Sequence, residues 1–174
     1  MIKLPRILTA LILSVAFIFA PATRPAAAAT DFSLRSLNGD TVSSGSLRGK
    51  VVVLAFGASW LPISRPHMQA VQKTADKYGA RGVEVFWVST DSDSNKSKTY
   101  ASDDQLREFA RRNGLKVTVL RDPDGAASKS MGVSEVPAVA IFDREGNMSG
   151  APVLGYDPEG NLADTLAPRL NKLL

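Results

Sequence analysis

The sequence predicts an α/β domain: a central mixed sheet flanked by helices and preceded by an N-terminal β-hairpin. Three observations carry this. Two apolar runs, Lys50–Phe56 and Val83–Ser89, have the length and continuity of strands buried on both faces. Apolar residues recur at helical spacing between and after such runs, so strands and helices alternate as in βαβ units. Phe32–Leu37 alternates apolar with polar residues up to Asn38-Gly39, a dipeptide whose tolerance of positive φ at both positions makes it a hairpin signal.

Each element has a local reason. Thr41-Val42 begins the return strand of the hairpin, and Ser44–Gly49 is a small-residue connector. Lys50–Phe56 leads into a loop, Gly57–Ser64, and then a helix whose apolar positions Met68, Val71, Ala75 and Tyr78 share one side up to Gly79. Gly82 ends that unit, Val83–Ser89 is the next strand, and Thr90–Ala101 is a polar loop with no apolar period. Ser102 with Gln105 forms a capping box, so a helix starts there, with Leu106, Phe109 and Ala110 as its apolar face and Asn113-Gly114 as its stop. Val117–Leu120 is a short strand and Asp122-Pro123-Asp124-Gly125 a turn. Ala126–Met131 is a short helix, Ala138–Phe142 a strand after Val136-Pro137, and Met148–Leu154 a weak strand that pairs back on it. Leu162, Leu166, Leu170 and Leu173 mark a terminal helix, expected to break or restart at Pro168, which cannot donate to the helical ladder.

Residues 1–29 stand apart. Lys3 and Arg6 open them, Leu8–Ala20 is a 13-residue apolar run without a charge, Pro21 breaks it, and Ala26–Ala29 are small. This is the layout of a secretory signal peptide cut near Ala29. A retained anchor is the alternative, but a spanning helix needs roughly 20 apolar residues. A lipid anchor is excluded, because that route needs a cysteine. The expectation is a signal peptide over 1–29, a single domain over 30–174, and a location in the periplasm or another extracytoplasmic space, with no stable membrane span once the leader is gone.

The 21 Lys and Arg residues against 17 Asp and Glu give a formal +4. Three of the bases, Lys3, Arg6 and Arg24, lie in the leader and none of the acids do, leaving 18 bases against 17 acids. No basic run or aromatic-basic stripe points to nucleic acid. The chain has no cysteine and one histidine. That excludes disulfides, thiolate nucleophiles and iron–sulfur clusters, and a multi-histidine metal site within one chain.

Phe56-Gly57-Ala58-Ser59-Trp60-Leu61-Pro62-Ile63-Ser64-Arg65 follows the first buried strand and opens a helix, and Val136-Pro137 starts a strand far downstream. In this order the features resemble the thioredoxin superfamily, nearest the exported TlpA/ResA-like thiol–disulfide reductases grouped with redoxin and AhpC/TSA domains. Such proteins carry F-x-A-x-W-C-P-x-C-R at this place. The resemblance spans roughly Asp31–Leu173 and implies a thioredoxin-like fold with the proline at Pro137 cis and facing the motif. It also implies that Leu61 occupies the nucleophilic cysteine position and Ser64 the resolving one. Leucine has no lone pair, and serine cannot form a mixed disulfide, so the family's mechanism of thiolate attack has no nucleophile here. Its tuning acid is expected to be missing too. Ala55 stands at the thioredoxin position, and Thr90–Ala101 holds Asp91 and Asp93 but not the glutamate of the ResA-like group. The same lack of cysteine removes peroxidase and copper-chaperone chemistry.

The catalytic set is therefore expected to be empty, with no cofactor and no metal. Ser64 reads as an N-cap accepting a backbone N–H, with Arg65-Pro66 in the first turn, and His67 as an exposed first-turn residue, not as a base for Ser64. Asp91-Ser92-Asp93-Ser94-Asn95 opens like a calcium loop, but Lys96 and Ser102 fill the two critical positions that need Gly and Glu, so a solvated loop is expected. Trp60 is expected at the surface and Trp87 in the core. Leu61 is either drift after loss of catalysis or a new apolar contact. The predicted function is a redox-inactive module that binds a protein or an extended peptide partner through Trp60, Leu61, Pro62, Ile63, Val136 and Pro137. A thiol–disulfide or peroxiredoxin-type activity using a partner's thiols is the alternative, and a purely structural role is the third.

Overall fold

The computed structural model describes residues 30–174. The signal peptide expected over 1–29 lies outside the described residues. In chain order the elements are β1 (Ser33–Ser36), β2 (Thr41–Ser43), β3 (Val51–Gly57), α1 (Ser64–Tyr78), β4 (Val83–Ser89), α2 (Asp103–Arg112), β5 (Val119–Arg121), α3 (Ala126–Ser130), β6 (Ala138–Phe142), β7 (Val153–Leu154) and α4 (Leu162–Leu173), with 3-10 turns at Gly45–Leu47 and Gly79–Arg81. They form one seven-stranded sheet in the order β2-β1-β5-β4-β3-β6-β7. β3, β4 and β5 run parallel, while β1, β2, β6 and β7 join antiparallel, so the sheet is mixed.

β3 lies at one end of the parallel set, between β4 and the antiparallel β6, and all seven of its residues are buried. Its alternation feeds both faces. Val51, Val53 and Ala55 pack with Met68, Val71 and Tyr78 of α1, Leu106 of α2, and Leu166 and Leu170 of α4. Val52, Leu54 and Phe56 pack on the other face with Phe32, Leu47, Met131 and Phe142. Covering both faces explains why the strand shows no polar alternation.

Three local expectations change. The hairpin does not turn on Asn38 and Gly39 alone. Gly39 has φ 93°, no non-glycine among the described residues has positive φ, Gly39 N–H donates to Ser36 O (3.1 Å), and Ser36 N–H donates to Asp40 O (2.7 Å). This is the three-residue loop that ends in a left-handed glycine bulge, which needs positive φ at one position only. The weak strand expected over Met148–Leu154 reduces to Val153–Leu154 plus a single bridge from Met148 to Phe142. Helix α4 runs unbroken through Pro168. Pro168 lies on the exposed side, so the Asp164 carbonyl that loses its donor can face water, while Leu162, Leu166 and Leu170 hold the inner side.

The register decides which loops meet. Gly57 of β3 is level with Ser89 of β4, so both strands exit at the same edge of the sheet. Phe56 pairs with Ala138 in the antiparallel β3–β6 ladder. Continuing that register sets Pro137 opposite Gly57 and Val136 opposite Ala58, where the motif loop begins.

Candidate functional site

The site is built where β3 ends. The chain folds over itself at once: Leu61 N–H donates to Ala58 O (3.2 Å), Ser64 N–H to Leu61 O (3.1 Å) and His67 N–H to Ile63 O (3.1 Å). Trp60, at 54% exposure, and Pro62 stand out from this turn, and Leu61 and Ile63 are half-buried. Ser64 does not cap the helix as expected. Ile63 is the flanking residue, Ser64 is the first residue of α1, and its buried hydroxyl donates to the Ala58 carbonyl instead of accepting from the helix. That bond ties the start of α1 back to the end of β3. It also occupies the hydroxyl proton, so Ser64 is not presented as a nucleophile.

Across the sheet edge the Val136–Pro137 peptide bond is cis. Pro137 is buried and Val136 half-buried. The Pro137 carbonyl accepts from Gly155 N–H (2.8 Å). Among the described residues neither the N–H nor the C=O of Val136 has a hydrogen-bond partner, although Val136 sits only two residues before β6 begins. A strand-edge N–H and C=O left open in this way can accept the backbone of another chain.

The solvated-loop expectation fails at Asp91. Asp91 is fully buried. Its carboxylate accepts from Ser59 N–H (2.9 Å), Ser59 Oγ (2.6 Å) and Ser89 Oγ (2.7 Å). The Asp91 carbonyl accepts from Arg121 Nη2 (3.3 Å), and Arg121 Nη1 donates to Ala101 O (2.8 Å). A buried carboxylate thus anchors the residue before Trp60. A polar loop in sequence carries no sign of this, because nothing local marks which of its acids turns inward. Among the described residues no group of three or more His, Asp or Glu side chains is placed to hold a metal ion, and the Asp91–Asn95 stretch is no exception.

His67 is also corrected. It is 1% exposed, not a surface residue. Its ring lies 5.2 Å from that of Tyr156, whose hydroxyl donates to Pro66 O (3.1 Å). Nδ1 has no hydrogen-bond partner. Burial pushes the imidazole down to about 4, so it is neutral near pH 7. The signal for burial was present: His67 adjoins Met68 and stands four residues before Val71 on the core side of α1. Trp87 is core, and its ring fills the space beside Gly57.

A strand–turn–helix motif facing a cis-proline loop, on a mixed sheet with helices on its faces, defines a thioredoxin-like α/β fold. Comparison with known proteins takes this to the family. The AhpC/TSA family model matches residues 25–150, and the chain belongs to that family. The thioredoxin-like protein YneN of Bacillus subtilis is 30% identical over 118 residues, 68% of this chain and 65% of its own length. The thiol-disulfide oxidoreductase ResA of Bacillus thuringiensis is 26% identical over 120 residues, 69% of this chain and 64% of its own length. The chain thus matches just under two thirds of the length of these relatives. Among solved structures, the exposed lipoprotein thioredoxin of Streptococcus pneumoniae superposes with a TM-score of 0.63 at 27% identity, covering 82% of this chain and 99% of the other. This chain, without cysteine, is a degenerate member of a group that includes thiol-disulfide oxidoreductases.

Proposed function

We propose that residues 1–29 are an export leader removed near Ala29, and that residues 30–174 work outside the cytoplasm as a binding module with no redox chemistry of their own. The module holds a protein or an extended peptide through Trp60, Leu61, Pro62, Ile63, Val136 and Pro137. The observation that carries this is the pair Leu61 and Ser64 at the two ends of a motif turn whose scaffold is otherwise kept. Leu61 offers a half-buried apolar surface, and the Ser64 hydroxyl is committed to Ala58 O. The open backbone groups of Val136 supply strand pairing that needs no sulfur. The exposed lipoprotein among its structural neighbours agrees with an extracytoplasmic place.

A second reading, in which the chain assists thiol–disulfide or peroxide chemistry with electrons from a partner's dithiol, is favoured by Asp91, a buried carboxylate retained beside the motif. Insulin reduction by dithiothreitol separates the two. The purified chain is expected to match the reagent blank, and the pair Leu61→Cys with Ser64→Cys to exceed it. Turnover by the unaltered chain alone would overturn the first reading.

A further inference from the structure

The Asp91–Asn95 stretch, whose opening resembles a calcium loop, leads into a second pattern. Asp93-Ser94-Asn95-Lys96-Ser97 contains N-x-S with x other than proline, the acceptor sequence for N-linked glycosylation. The bacterial form of that reaction also asks for an acid two residues before the asparagine, and Asp93 stands there. Glu145-Gly146-Asn147-Met148-Ser149 repeats the pattern, acid included. The two strings are equivalent as sequence, and the fold separates them.

Asn95 lies at the tip of the loop between β4 and α2. The base of that loop is closed by Ser92 N–H to Thr99 O (3.0 Å) and Ala101 N–H to Ser92 O (3.0 Å), and its tip by Ser97 N–H to Ser94 O (2.9 Å). Asp93, Asn95 and Lys96 are exposed. Among the described residues the side chains of Asp93 and Asn95 have no hydrogen-bond or ion-pair partner, so the amide is open to reagents and the carboxylate is open to a cation. Ser97 Oγ accepts from Thr99 N–H (3.2 Å) and lies 3.0 Å from Thr99 Oγ1, bonds that stay within the loop.

Asn147 is held. Its Nδ2 donates to Asp143 Oδ2 (3.2 Å) and its N–H to Asp143 Oδ1 (2.8 Å). Its carbonyl accepts from Asp143 N–H (2.9 Å), and Ser149 N–H donates to Ile141 O of β6 (2.7 Å). The nitrogen that would react is already a donor, and freeing this stretch means peeling it from the sheet.

We propose that Asn95 is an N-glycosylation site of the folded, exported chain and that Asn147 is not. The donor is an oligosaccharide carried on a polyprenyl pyrophosphate, brought by an oligosaccharyltransferase that reads the acid at Asp93. The Asn95 amide nitrogen attacks the anomeric carbon. A C–N bond forms, the C–O bond to the pyrophosphate breaks, the amide proton passes to a basic group of the transferase, and polyprenyl pyrophosphate leaves. At the loop tip a bulky, hydrated glycan displaces no packed side chain. The proposal rests on the export reading, because this transfer takes place outside the cytoplasm.

The test incubates the purified, folded chain with a purified bacterial oligosaccharyltransferase of the acid-requiring class and its lipid-linked oligosaccharide. Intact mass and peptide mapping read the product, and circular dichroism checks folding. The expected result is one glycan, on Asn95. Asn95→Gln and Asp93→Ala are expected to lose it, and Asn147→Gln to keep it. An unmodified wild-type chain overturns the site. A glycan on Asn147, alone or together with Asn95, overturns the selection by the fold, and full modification of Asp93→Ala overturns the role of the acid. A chain found only in the cytoplasm on cell fractionation overturns the export reading, while the purified-chain assay decides the acceptor site independently of it.

Discussion

The single histidine gives the sharpest test of how the motif helix is packed. His67 is neutral in the fold because burial pushes it from 6.5 to about 4. The unfolded chain takes up the proton as pH falls below about 6.5, and the folded chain does not until about 4. In that window the unfolded state binds more protons, so stability falls with falling pH, and the loss levels off below about 4. Between about pH 7 and pH 4.5 the linkage relation gives a loss of about 2 kcal/mol from this one group. The folded carboxyls of Asp103 and Glu108 are held below their ordinary values, so their stabilisation is lost at more acid pH and adds little in this interval. Urea unfolding at the two pH values measures the loss, and His67→Phe or His67→Leu should flatten it. Neither substitution breaks a hydrogen bond of Nδ1, which has no partner. With one histidine in the sequence, the imidazole proton resonance reports the titration without assignment. An imidazole titrating near 6.5, or equal pH slopes in wild type and variants, would refute the buried neutral ring.

Gly57→Ala would bring a Cβ to 2.9 Å from Cζ2 of Trp87, a core ring that cannot swing away, and should cost about 1–3 kcal/mol in urea unfolding. Asp91→Ala strips the acceptor from Ser59 N–H and from the Ser59 and Ser89 hydroxyls, and should cost about 3–5 kcal/mol. Asp91→Asn should cost less, and in both variants amide exchange at Ser59 should speed up. Ser102→Ala removes the side chain that accepts from Gln105 N–H at the start of α2 and should cost about 1 kcal/mol, with the loss confined to that helix in hydrogen exchange.

The element order was legible because it rests on short-range patterns. The Val-rich runs became β3 and β4 within a residue of where periodicity set them, and the Ser102–Gln105 box starts α2 as read. Leu61 and Ser64 stood out because a motif is a local string. The errors share one cause. Ser64, His67 and Asp91 are governed by contacts that the local pattern does not reveal: the turn that brings Ala58 O back to Ser64, the Tyr156 ring against His67, and Ser59 against Asp91. Pro168 was judged by its missing N–H, without knowledge of which side of α4 would face water.

Covalent composition alone removed sulfur chemistry: a chain without thiols has no thiolate to offer, whatever its shape. Burial, and the meeting of the motif turn with Val136 and Pro137 along one edge, came from the strand order and register. Those are long-range pairings, set by which faces bury together across the sheet, and no window of neighbouring residues contains them.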